Sequence, residues 1–372
     1  MARAGDKYRQ WNAANLRRSV CEHTFVRWDE QRVENDLRLP GVGDGTVVRT
    51  FDAPEAMGVN FHEVRAHSAL NHVPGGRFGF NYTINPYRGC THACVFCFAR
   101  RTHTYLDMDA GRDFEREIVV KVNVPELLRT ELGRDNWKRD LVALGTNTDP
   151  YQWVESRYRM MPEILLALEE ADTPVSVLTK SPLVMRDVEI FERMAKRLPV
   201  SVNLSVPTLD EDAWRATEPH TPSPSARLDA VAELRRRGID SGVLIAPLMP
   251  GINDSPEQVR PIVERAKAAG ASFLGGVALH LRDEVKDVFF AWLEAKRPDL
   301  IPRYEGLYRG GSYMQAEQRK RATRAVRGWG KSARRRKEGR QPSQLADTQN
   351  RRSSGGDLSD GRAAVPPQPR LF

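Results

Sequence analysis

The chain has 372 residues, 40% of them hydrophobic and 28% charged, enough to bury the core of one large domain or two modest ones. It contains no run of 18 apolar residues, and Met1–Asn12 is polar, so the sequence predicts neither a membrane span nor a secretory signal; the cytoplasm is the expected location. The net charge of +8 is uneven: eleven Lys/Arg and one acid, Glu338, fall within Arg319–Arg340, a local +10 that leaves −2 for the remainder. Such a block suits phosphates, and it equally suits a solvated helix end and a tail.

In chain order, residues 1–45 are charged, with weak helical periodicity around Arg17 to Arg32, and residues 46–80 read as an irregular lead-in; together 1–80 is expected to be an N-terminal extension. From Asn81 the pattern alternates. Short apolar runs occur at Tyr82–Ile84, Ile118–Val122, Leu141–Leu144, Val175–Thr179, Val200–Ser205, Gly242–Ile245 and Phe273–Leu281. Helical stretches lie between most of them: Pro125–Leu132, Pro162–Glu170, Val188–Arg197, Ala226–Arg237 and Pro256–Ala269. Repeated strand–helix units predict parallel strands. About six units are too few for a closed eight-stranded barrel. The expected fold is therefore α/β, a partial (β/α)6 TIM-like barrel over 81–283, with a doubly wound sheet as the alternative. Either places ligands at the C-terminal strand ends. A helical segment is expected over 284–330, and a disordered basic tail over 331–372.

Three of the four cysteines, Cys90, Cys94 and Cys97, lie within eight residues at Cys-x3-Cys-x2-Cys spacing, while Cys21 stands apart. Clustered thiols in a reducing compartment read as metal or redox ligands. Spacing alone leaves two readings. A zinc site needs a fourth ligand, such as His92 or His103. A four-iron cluster held by three thiolates keeps one iron open for an outside ligand.

The segment Asn85-Pro86-Tyr87-Arg88-Gly89-Cys90 and its continuation Cys97-Phe98-Ala99-Arg100-Arg101-Thr102 resemble the radical SAM superfamily, with Phe96 as the aromatic before the third cysteine. The flanks resemble the spore photoproduct lyase-like branch (DNA repair photolyase-like), and within it an actinobacterial radical SAM family of unassigned substrate. The likeness runs from about Phe61 to Tyr313.

The resemblance implies a [4Fe-4S] cluster on Cys90, Cys94 and Cys97, whose open iron is chelated by S-adenosyl-L-methionine. Reductive cleavage then gives a 5′-deoxyadenosyl radical, with an electron donor such as flavodoxin or ferredoxin. It implies cofactor contacts from Phe96 to adenine and from Thr146, Asn147 and Asp149 to the methionine amino group. Lys180 would meet the carboxylate, Asn203 and Ser205 the ribose, and the backbone of Ala246 the adenine. Arg88 and Arg100 flank the cysteines as carboxylate-binding candidates or ordinary ion-pair partners. His280 and Arg282 are substrate-side candidates. Spore photoproduct lyase carries a hydrogen-donating thiol where this chain reads Thr146-Asn147-Thr148-Asp149, and no cysteine follows Cys97. Tyr151 is the candidate replacement.

The implied substrate is nucleic acid, in repair or base modification. A protein or small-molecule substrate, or a non-enzymatic metal-bearing nucleic-acid-binding module, stays open. Two partner signals follow: DNA through Arg319–Arg340, and the sliding clamp through Gln368–Phe372, whose Gln-Pro-Arg-Leu-Phe resembles a clamp-docking peptide with two apolar anchors.

Overall fold

The computed structural model describes residues 31–34 as backbone, and 47–51, 53, 56, 58–74 and 79–326. Cys21, residues 331–340 and Gln368–Phe372 lie outside the described residues.

Six parallel strands form the body of a seven-stranded sheet. They are β5 (Tyr82–Ile84), β8 (Val142–Leu144), β9 (Val175–Thr179), β10 (Val200–Ser205), β11 (Val243–Leu248) and β12 (Leu274–Ala278). They are neighbours in chain order, and β4 (Leu70–His72) pairs antiparallel on the β5 edge. The order never reverses, so there is no switch point of the kind that defines a doubly wound sheet. This is the open partial barrel that the strand count predicts.

Alternation along the strands explains which face packs. In β9 and β10, Val175, Val177, Val200, Val202 and Leu204 are fully or nearly fully buried. They join the core with Ile164, Leu165 and Leu168 of helix Met160–Glu170, Phe191 of Val188–Ala195, Val231 and Leu234 of Pro224–Arg236, and Val259 and Ile262 of Pro256–Ala268. The opposite face carries Ser176, Leu178, Ser201 and Asn203, all only partly buried. Ser201 Oγ donates to Ser176 Oγ across that face at 2.9 Å. An inner face that mixes polar side chains with Leu178 and an outer face that is mainly apolar make a curled sheet with its cavity inside.

Two expectations are corrected. Residues 46–80 are not irregular: they supply β2 (Val47–Phe51), β3 (Asn60–Val64) and β4. The run at Ile118–Val122 forms a strand, β7 (Glu117–Lys121), but outside the barrel. It pairs parallel with β3 and antiparallel with β6 (Tyr87–Arg88) in a five-stranded sheet that also holds β2 and β1 (Gln31–Glu34). The parallel pairing of β3 with β7, Asn60 opposite Glu117, joins segments 57 residues apart, which no local pattern announces. Phe51 and Phe61 meet at 5.1 Å in the resulting core. Of the helical periodicity expected before residue 45, only Gln31–Glu34 is described, and it is extended.

Candidate active site

The cysteine loop leaves β6 and is fixed on three sides. Gly89 adopts φ +85°, and a Cβ there would meet Ile118 Cδ1 at 2.8 Å and the Phe114 carbonyl oxygen at 3.0 Å, so only glycine lets Cys90 N donate to Phe114 O at 3.0 Å. Gln152, fully buried, accepts from Thr91 N at 2.9 Å and donates to Gly89 O at 3.0 Å. Arg100, also fully buried, donates to Cys94 O at 2.9 Å, Ala93 O at 3.1 Å and Gly111 O at 2.8 Å, and pairs with Glu115. Arg100 therefore holds the loop backbone and does not face a ligand carboxylate. Arg88 is buried with Nη1 on Thr102 O at 3.1 Å, and burial lowers its pKa to about 10. Neither arginine lines the cavity described below.

The turn after β8 is the second wall. Gly145 has φ +81°, and a Cβ would stand 1.8 Å from the Leu178 carbonyl oxygen. That contact brings the turn against β9. Asp149 locks it: Oδ1 accepts from Thr179 Oγ1 at 2.6 Å and Tyr151 N at 2.9 Å, and Oδ2 accepts from Lys180 N at 2.7 Å. Thr148 Oγ1 donates to Tyr87 O at 3.0 Å, tying this turn to the strand before the cysteines.

Lys180, at the end of β9, reaches across the site. Its Nζ is 2.8 Å from Ser205 Oγ, 2.6 Å from Glu218 Oε1 and 5.5 Å from the Phe96 ring centroid. Glu218 is fully buried and pairs on its other oxygen with Arg227 at 2.8 Å. Burial pushes its carboxyl up, but Arg227 and Lys180 together hold it below the usual carboxylate value. Glu218 was not legible as a site residue. The available signal was Arg227, a cation at 227 on the face that buries Val231 and Leu234 of its helix.

These elements enclose a cavity of about 280 Å³ at the C-terminal strand ends. Cys90, Cys94, Cys97, Phe96, Asn147, Asp149, Lys180, Ser205, Ala246 and His280 all line it, with His92 and Pro247. The loop that follows the first barrel strand and the end of the last strand thus line one cavity, as the curl of the sheet requires. Besides Arg88 and Arg100, four predicted residues do not line it: Arg282, Thr146, Asn203 and Tyr151. Thr146 lies on the turn but away from the cavity, and Asn203 sits one step below Ser205 on the inner face of β10. Tyr151 is fully buried and its phenol donates to Asp187 Oδ2 at 3.0 Å beside Arg186. Its place as a hydrogen donor at the cavity is therefore withdrawn.

The donor set fits an iron–sulfur cluster. None of Cys90, Cys94 and Cys97 is in a disulfide. Burial is the largest cause raising each thiol pKa, aided by Asp149 at Cys90 and Glu218 at Cys94, and partly offset at Cys97 by Arg100. Bare, they are neutral thiols; iron in the pocket would hold all three as thiolates. The mononuclear zinc alternative fits less well. Among the described residues no three His, Cys, Asp or Glu side chains close on a single ion. His92 faces Asp149 at 3.5 Å, with burial lowering its pKa to about 4, and His103 Nε2 contacts Glu117 O at 2.8 Å.

Comparison with known proteins follows the same lines. The radical SAM superfamily model matches residues 84–266. The chain is 44% identical over 296 residues to an uncharacterized protein of Mycobacterium tuberculosis, covering 78% of this chain and 87% of that one. It is 28% identical over 189 residues to the radical SAM Nalpha-GlyT isomerase of Pseudomonas phage M6, covering 50% of this chain and 36% of that one. A solved spore photoproduct lyase, complexed with a dinucleoside spore photoproduct, shares the fold at TM-score 0.54 and 15% identity, over 73% of this chain and 79% of that one.

Proposed function

The chain belongs to the radical SAM superfamily, and from that premise we propose that Cys90, Cys94 and Cys97 hold a four-iron cluster beside S-adenosylmethionine and that the enzyme acts on nucleic acid. The observation that carries the first part is the convergence of three free thiols and the polar strand ends on one cavity. When bound, the cluster and S-adenosylmethionine supply one-electron reductive cleavage and a carbon radical that abstracts hydrogen.

The chain's own residues do the rest. The Gly145–Asp149 turn offers Asn147 to an ammonium; Asp149 itself is spent on Thr179 and Lys180 and acts as a positioning residue. Lys180 brings a cation to the carboxylate side, held between Glu218 and Ser205. Ser205, whose Oγ donates to Ala246 O at 3.1 Å, and the Ala246 backbone shape the adenosine side, with Phe96 packed against Met249 and Leu279. Apolar walls from Leu178, Leu244 and Val277 limit water around a reactive intermediate.

Nucleic acid as substrate rests on charge. Among the described residues the basic stretch Arg319–Arg340 begins in helix Ala316–Ala322 and is followed to Val326, which packs against Gly276 on β12 and is 3% exposed. Arg319, Lys320, Arg321 and Arg324 are thereby mounted on the barrel itself. The family resemblance also supports a flavodoxin or ferredoxin as electron donor, and Gln368–Phe372 supports clamp docking; loss of clamp co-migration in Leu371→Ala with Phe372→Ala tests the latter.

The deciding experiment is anaerobic reconstitution with iron and sulfide, then S-adenosylmethionine and dithionite, reading 5′-deoxyadenosine. Wild type should form it and Cys94→Ala should not. Tightly bound zinc with no product would overturn the reading.

A further inference from the structure

Three of the five large hydrophobic side chains exposed among the described residues stand at the cavity: Phe98 (45%) and Val277 (44%) line it, and Tyr313 (51%) stacks on His280, which lines it too. The rings form a ladder. Phe98 and His280 have centroids 5.9 Å apart, and His280 stacks on Tyr313 at 5.5 Å with an 18° interplanar angle.

Backbone contacts hold the ladder in place. A bridge joins His280 to Tyr313, and Leu281 N donates to Ser312 O at 2.9 Å. Phe98 begins the 3₁₀ helix Phe98–Leu106, which also carries Arg101 and Tyr105. A platform fixed before binding loses little entropy when it is used.

Cations border the rings. Arg282 lies 5.9 Å from the Tyr313 centroid and has no acidic partner among the described residues. Arg101 lies 5.7 Å from the Tyr105 centroid and is paired with Asp283 at 2.6 Å. Burial and Arg282 both lower the His280 pKa, so its ring is neutral at neutral pH and suited to stacking.

An exposed aromatic ladder beside the cavity, ending on an arginine unpaired among the described residues, matches one ligand chemistry: a flat heterocycle on a phosphate backbone. A protein-docking patch of this size would carry a contiguous apolar centre, whereas here a histidine stands in the middle of the ladder and Tyr313 and Tyr105 each carry an arginine. We propose that Phe98, His280 and Tyr313 form a stacking platform for an unpaired nucleobase, with Arg282 taking the adjacent phosphate, so that a base leaving the platform enters the cavity past Val277. This rests on the nucleic-acid reading above and narrows it to an extruded or single-stranded base.

The test uses full-length, cluster-loaded protein and short oligonucleotides carrying 2-aminopurine, whose fluorescence falls on stacking. A base-bearing single strand should bind with quenching and at least about fivefold more tightly than an abasic strand of the same length. Tyr313→Leu and Phe98→Leu should each erase most of that ratio, while Tyr313→Phe keeps it. Arg282→Gln should reduce the salt slope by about one ion for base-bearing and abasic strands alike. The cluster absorbance serves as the folding control for every variant. DNA and RNA arms identify the source of the base, and quenching with either supports the platform. Equal affinity for base-bearing and abasic strands, or unchanged discrimination in both leucine variants, would overturn the platform and leave the nucleic-acid reading standing. No binding of any strand, single or duplex, would overturn both.

Discussion

Glu218→Gln tests how the site is held together. The wild-type carboxylate is fully buried, 2.8 Å from Arg227 and 2.6 Å from Lys180. The glutamine removes the charge and keeps the shape. Arg227, itself fully buried, keeps hydrogen bonds to Ser205 O, Pro222 O and Thr221 Oγ1 but loses its only carboxylate among the described residues. Removing one partner of a buried pair costs about 3–5 kcal/mol, because the remaining charge stays desolvated. Arg227→Met in the same background should recover part of the loss, giving a coupling of about 0.5–3 kcal/mol. The assay is anaerobic urea unfolding of cluster-loaded protein, followed by fluorescence and by cluster absorbance. Because Glu218 titrates below 4.5 in the folded protein, its contribution is fully present above 4.5 and disappears as pH falls through the folded value; Glu218→Gln should flatten that acid limb. S-adenosylmethionine affinity should fall as well, since Lys180 loses its tether. A Glu218→Gln protein within about 1 kcal/mol of wild type, or strictly additive double-mutant effects, would refute the argument.

Three further expectations follow from the geometry. Lys121 is buried without an acidic partner among the described residues, and burial and Arg88 lower its pKa to about 8 from 10.5. The unfolded chain therefore binds more protons between pH 8 and 10.5; Lys121→Met should stabilise the protein by about 3 kcal/mol at pH 7, with the gain fading by pH 10.5 in urea unfolding across pH. Gly145→Ala should weaken S-adenosylmethionine binding in calorimetry and cost more than the ~1–2 kcal/mol of a left-handed alanine, because its methyl collides with the Leu178 carbonyl. Lys180→Met should raise the S-adenosylmethionine Kd while leaving iron content unchanged, whereas Cys94→Ala should lower iron content itself.

Much of the site was legible because its information is local. The three cysteines and their flanks lie within sixteen residues, and Asp149, Lys180, Ser205 and Ala246 each mark a strand end that the apolar runs already delimit. The turn segment does line the cavity through Asn147, Thr148 and Asp149, but Asp149 uses both oxygens on protein donors and positions Lys180 rather than presenting a free acceptor to a ligand ammonium. Tyr151, two residues on, looked equivalent in sequence. Its backbone path instead buries the ring and delivers the hydroxyl to Asp187. Gln152 and Arg100 brace the cysteine loop through backbone carbonyl and amide groups that every residue carries, so no pattern announces them.

The sequence by itself determined the cysteine trio and six of its seven apolar runs as parallel barrel strands, because spacing and periodicity are properties of short segments. Tertiary structure alone decided the five-stranded second sheet, the Glu218–Arg227–Lys180 chain of buried charges and the ladder that joins Phe98 to His280 and Tyr313. Each depends on segments far apart in the chain meeting in space. That meeting follows from how the whole backbone curls around its core, and no local stretch of residues carries it.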